Sequence, residues 1–213
     1  MVLQLLRLWV LVSVAGLPLM LDAQIVGERP QVLVSVVNNA GVNDATILLA
    51  ENTASRIYEQ AGPSIIWKNC RLQTEPKPER CVQTADSRHL VLRIEHHGRT
   101  LDTDVYGVAF LGKDGFGTYC DVFYDRIVEL HHQGKASEAT ILGIVAAHEL
   151  GHLLLGSHAH SAIGIMRPQL QPEDFWAPKL GTTTFSRQQA QRISDKLALV
   201  QAEAGSTWHS AGL

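Results

Sequence analysis

The chain has 213 residues, 46% of them hydrophobic and 18% charged, with 18 Lys and Arg against 21 Asp and Glu for a formal net charge of −3. That length suits one domain with a sizeable core, and no repeat or low-complexity segment interrupts it. The near-balanced charge excludes the strongly basic surface that nucleic acid or an anionic membrane would require.

At the start of the chain, Arg7 precedes an apolar run over residues 8–21, and the small residue Ala23 follows. This is the build of a secretory signal peptide covering residues 1–23, with cleavage near Ala23. The run contains Pro18 and falls short of the about 20 residues needed to span a bilayer, so the mature chain, residues 24–213, is expected to carry no membrane anchor. Cleavage removes Arg7 and Asp22, one charge of each sign, and the balance is unchanged.

Residues 31–37 (QVLVSVV) are β-branched and alternate, which predicts a strand. Asn43 or Asp44 then caps a helix whose apolar residues Ile47, Ala50, Ala54, Ile57, Tyr58 and Ala61 recur at helical spacing until Gly62-Pro63 ends it. Further strands are expected at 64–67, 90–94, 105–111 and 119–124. The cysteines are Cys70, Cys81 and Cys120. In an oxidising compartment two should pair; Cys70 with Cys81 would close the charged, Pro-containing loop between them and leave Cys120 free, although a pair using Cys120 is equally allowed by sequence. A helix over about 137–155 follows, apolar on nearly every side and therefore buried. Gly143 and Gly151 inside it cost about 1 kcal/mol each in propensity, which points to close packing against another backbone. Ser186 and Gln189 form a capping box for a last helix, with Phe185 stapling onto Ala190 and a stripe of Ala190, Ile193, Leu197 and Val200. Residues 204–213 read as a frayed tail.

Within the buried helix the sequence HELGH sets His148 and His152 one turn apart, with Glu149 beside the first. At 3.6 residues per turn, positions i and i+4 share a face, so both imidazoles can reach one tetrahedral Zn²⁺. A carboxylate at Glu149 is placed to take a proton from water on that metal, whose pKa falls towards about 7. Downstream lie His158, His160 and Met166.

These residues resemble the signature of the metzincin metallopeptidases, the matrixin-like branch in particular: H-E-x-x-H-x-x-G-x-x-H followed by a methionine-containing turn. His148, Glu149 and His152 match position for position, and Met166 falls where that branch has its Met-turn. The signature's glycine would be at position 155, which is Leu155; Gly156 comes one residue late. The resemblance implies an α+β, metzincin-like single domain: a twisted, mostly parallel sheet of about five strands, a buried active-site helix and a C-terminal helix. It also implies one catalytic Zn²⁺ held by three histidines, hydrolysis of a peptide or protein substrate aligned along the edge strand at 105–111, and a specificity segment over 169–184. Matrixins are commonly held latent by an N-terminal propeptide. Only a few residues separate Ala23 from the first strand, so activity without further N-terminal processing is expected.

The third ligand is His158 or His160. The chain must break after the helix, and Gly156 is the residue suited to a positive φ. Counting from Gly156, His158 leaves one intervening residue and His160 three, against two in the signature. Reach favours His160, whereas spacing from His148 and distance to Met166 favour His158. Glu173 would be the ligand in a gluzincin-like alternative, but Pro172 and the residues 175–178 make a helix there hard to build. His96, His97, His131 and His132 are adjacent pairs, whose members face opposite ways on a strand, and are given ordinary roles. Asp102, Asp104, Asp114 and Asp121 match no firm Ca²⁺ motif, so a structural Ca²⁺ is unsupported and they read as solvated loop acids. A zinc-binding module with weak catalysis and a hydrolase of non-peptide amides are the other functional readings of the same residues.

Overall fold

The computed structural model describes residues 29–70, 88–98, 105–134, 136–170, 172–175 and 183–210. The expected signal segment, Cys81, Asp102 and Asp104 lie outside the described residues. The architecture is α+β, with a mostly parallel five-stranded sheet. Strand β1 (Gln31–Asn38) leads into helix α1 (Asp44–Glu59), which returns the chain so that β2 (Ser64–Cys70) lies parallel to β1. Strand β3 (His89–Glu95) joins the other side of β1, and β5 (Tyr119–Phe123) extends the sheet, both parallel. Strand β4 (Gly107–Phe110) closes the order β2-β1-β3-β5-β4 as an antiparallel edge.

Alternation decides which face meets the helices. Val32, Val34 and Val36 of β1 and Leu90, Leu92 and Ile94 of β3 are buried in the core together with α1 and the central helix α3 (Glu138–Leu155). The N-cap of α1 is Asn43, whose side chain accepts from the Thr46 N–H. The opposite face carries buried polar pairs: Ser35 with His89 at 2.8 Å, and Asp121 with Arg93 in a two-pronged ion pair at 2.5 and 2.8 Å. The expectation of a solvated Asp121 is therefore corrected, since a fully buried carboxylate on a strand needs a paired cation. Asp114 stays in a turn and accepts from the Phe116 N–H.

Helix α3 is capped by Ser137 and is apolar enough to cross a membrane, yet 83% of it is buried inside the fold. A Cβ at Gly143 would meet the Ala50 carbonyl oxygen of α1 at 2.5 Å, so the two helices touch backbone to backbone there. Gly151 differs from expectation: its near neighbours are the side chains of Met166 and Phe185.

Three further expectations are corrected. A helix, α2 (Tyr124–His132), stands between β5 and α3 where none was expected; His131 and His132 therefore lie on its last turn and not on a strand. Its buried residues are Ile127 and Leu130, and a helix this short depends on packing against α3. Proline at a first helical position is tolerated, so α4 (Pro172–Phe175) forms a single turn where flanking prolines argued against one. Helix α5 (Arg187–Ser210) continues past the expected end at 203, since Gln201, Ala202, Glu203 and Ala204 are strong helix formers and one glycine does not stop a helix. Cys70 is disulfide-bonded and Cys120 is a free, buried thiol.

Candidate metal centre

Helix α3 ends at Gly156, whose φ of 81° and ψ of −165° lie in a region that is essentially glycine's alone. A Cβ there would also meet the Gly115 carbonyl oxygen at 3.0 Å. The chain then turns at residues 157–158 and folds back along the last turns of α3. This reversal brings His160 to His148 and His152, and the ligand atoms of the three lie within 4.8 Å of one another. The ring centroids of His152 and His160 are 4.7 Å apart, and those of His148 and His160 5.8 Å. His158 is not in the cluster. It sits in the turn at 157–158. His96, His97, His131 and His132 also lie elsewhere: His97 faces Asp125 at 3.1 Å, and His131 donates to the Ala136 carbonyl. The side chain of Glu173, on α4, lies outside the described part of the molecule.

The donor set fits a tetrahedral cation. The Nδ1–H of His148 donates to the Ile165 carbonyl at 2.7 Å, which fixes the tautomer and turns the Nε2 lone pair inward. The Nε2 atoms of His148 and His152 are 3.1 Å apart. Two imidazole nitrogens on one Zn²⁺ at about 2.05 Å and tetrahedral angle stand about 3.3 Å apart, close to that value. Burial, with His160 nearby and against the Ile165 carbonyl, pushes the His148 pKa down. His152 is pushed down to about 3, by burial first and then by its two histidine neighbours. Both rings are thus neutral near pH 7, the form that ligates metal.

Beneath the histidines, Met166 is wholly buried, with Sδ 2.6 Å from where a Gly151 Cβ would stand. Glycine at 151 is what lets the sulfur lie flush against α3 between the two histidine turns. Glu149 is 6% exposed, and burial pushes its carboxyl up to about 8. It lies directly under the edge strand: a Cβ at Gly107 would meet the Glu149 Cγ at 2.7 Å and Oε1 at 2.9 Å. Gly107 was not singled out from sequence, although a glycine interrupting an apolar strand is the ordinary mark of close backbone approach. A cleft of about 380 Å³ opens over this arrangement, walled by β4 with Tyr106, by Val145 of α3, and by Pro168, Gln169 and Leu170 after the methionine.

No protein-family profile and no curated protein matches the chain. Among solved structures, it is similar to a zinc-dependent peptidase from Methanocorpusculum labreanum (strain Z), with a TM-score of 0.48 and 15% sequence identity over 75% of this chain and 99% of that one.

Proposed function

We propose that this chain is a secreted, zinc-dependent endopeptidase of metzincin-like build, with His148, His152 and His160 as the metal ligands and Glu149 as general base. The observation that carries the reading is the convergence of three imidazoles beside a buried carboxylate, in a cleft bordered by β4, the edge strand of the sheet among the described residues. A Zn²⁺ held by His148, His152 and His160 would supply Lewis-acid chemistry to the scissile carbonyl and to water. A cation at the triad also favours the ionised form of Glu149. Glu149 takes the proton of the attacking water and delivers it to the leaving amine. The outer edge of β4 offers backbone groups to an extended peptide, which would hold the scissile bond over the histidines by strand addition. Export is inferred from residues 1–23.

The test is peptide cleavage and metal content of purified wild type, Glu149→Ala and His152→Ala. Glu149→Ala should keep about one equivalent of Zn²⁺ while turnover falls by at least about 10²–10⁴, because proton transfer in both directions is lost. His152→Ala should lose the metal as well. Wild-type cleavage by Glu149→Ala would remove the general-base role. A metal-replete wild type that cleaves no denatured protein but hydrolyses a non-peptide amide, or neither, would replace the peptidase with one of the other two readings.

A further inference from the structure

The loop from Gly156 to His160 has one residue more than the metzincin signature allows, and a longer loop has more freedom to lose when its histidine takes a fixed place. Its backbone is held by side chains of α5. Gln189 is 5% exposed, and its side-chain oxygen and both amide hydrogens have partners. Its Oε1 accepts from the Ser186 N–H at 2.8 Å, which completes the capping box. Its Nε2 donates to the Ala159 carbonyl at 2.9 Å and to Ser161 Oγ at 3.1 Å. Ala159 and Ser161 are the two neighbours of His160 in the chain. Ser161 is fixed in turn: Oγ donates to the Ile163 carbonyl at 2.8 Å and its N–H to the Met166 carbonyl at 2.8 Å. One and two turns along α5, Arg192 donates to the carbonyls of Leu155 and His158 at 2.6 and 3.1 Å, and Lys196 to that of Leu153 at 2.9 Å. Positions 189, 192 and 196 share one face of the helix, so one helix satisfies carbonyls that the end of α3 and the turn after it leave without partners.

Resting on the three-histidine reading, we propose that Gln189 is a positioning residue for the metal: its amide clamps both flanks of His160 and presets the third ligand, with Arg192 holding the inserted turn. A buried amide donor shared between two loop acceptors fixes the ligand's backbone as a hydrogen-bonded neighbour fixes a ligand's ring. The same side chain also caps α5, and the two roles use different atoms. They can therefore be separated. Gln189→Glu keeps the acceptor for the Ser186 N–H and loses both donors. Gln189→Met, similar in size, removes the donors without adding charge. Ser186→Ala weakens the cap and leaves the Nε2 bonds in place.

The measurements are Zn²⁺ affinity by chelator competition, the visible spectrum of the Co²⁺-substituted protein, and thermal melting without metal. Gln189→Glu and Gln189→Met should weaken Zn²⁺ binding by about 10- to 100-fold and alter the Co²⁺ spectrum towards that of His160→Ala. Ser186→Ala should lower the metal-free melting temperature and leave affinity and spectrum as in wild type. If His160→Ala loses affinity while both Gln189 variants bind as wild type, the inference fails and the triad stands. If Ser186→Ala weakens binding as much as Gln189→Met, α5 acts only through general stability and the inference fails as well. If His160→Ala binds as wild type, the triad fails and the inference falls with it.

Discussion

Glu149 shows how one position serves the site at a cost to the fold. In the metal-free protein its pKa is raised from 4.5 to about 8 by burial. Between those values the folded state holds a proton that the unfolded state has released, so stability falls as pH rises through that window and the full penalty is present above about pH 8. An uncharged amide in the same place carries no such penalty. Metal-free Glu149→Gln should therefore match wild type near pH 4 and exceed it increasingly towards pH 9, by on the order of 2–4 kcal/mol. Denaturant melts at five pH values would check this, and a pH-independent difference would show that the carboxyl is ionised when buried. The identities of Glu149, His148 and His152 were legible in sequence because a helix fixes the geometry of residues one turn apart. The choice of His160 over His158 was not, because it depends on a turn at 157–158 that no local rule places.

At the scale of elements, α3 is decided by what packs on it. Gly→Ala inside a helix ordinarily gains up to about 1 kcal/mol. At Gly143 the added methyl would stand 2.5 Å from the Ala50 carbonyl oxygen and 2.7 Å from Thr53 Cβ, and α1 must move away. Gly143→Ala should lower the melting temperature despite its better propensity, with a loss of about 1–3 kcal/mol typical of overpacking. Raised stability would mean that α1 and α3 are not in backbone contact. The strands and α1, α3 and α5 were readable because each carries enough period or a cap: Asn43, Ser137, and the Ser186-Gln189 box. Helix α2 was missed because nine residues with two buried apolar positions form no pattern by themselves. Likewise, sequence showed the Gln189 cap but not that its amide reaches Ala159, thirty residues away.

For the whole molecule, the proposed ion ties the sheet-facing helix to the loop that returns beneath it. A ligand that binds only the folded state stabilises by mass action, by about 4 kcal/mol when its free concentration is a thousandfold above Kd. Chelation should thus lower the melting temperature of the full chain, and stoichiometric Zn²⁺ should restore it. The same cycle on His160→Ala should show little change. An unchanged melting temperature after verified metal removal would mean that the site does not couple metal to folding.

The sequence alone determined what is local or periodic: the order of strands and helices, a buried helix with two histidines and a carboxylate on known faces, a helix stop at Gly156, and a capped final helix. Each follows from backbone geometry over a few residues, where spacing translates directly into direction. Tertiary structure alone decided which histidine completes the cluster, that Met166 lies against Gly151, that Gly107 presses on Glu149, and that Gln189 grips the loop around His160. Those contacts join residues far apart in the chain. Their partners are chosen by how the sheet, α3 and α5 pack, and packing depends on every element at once.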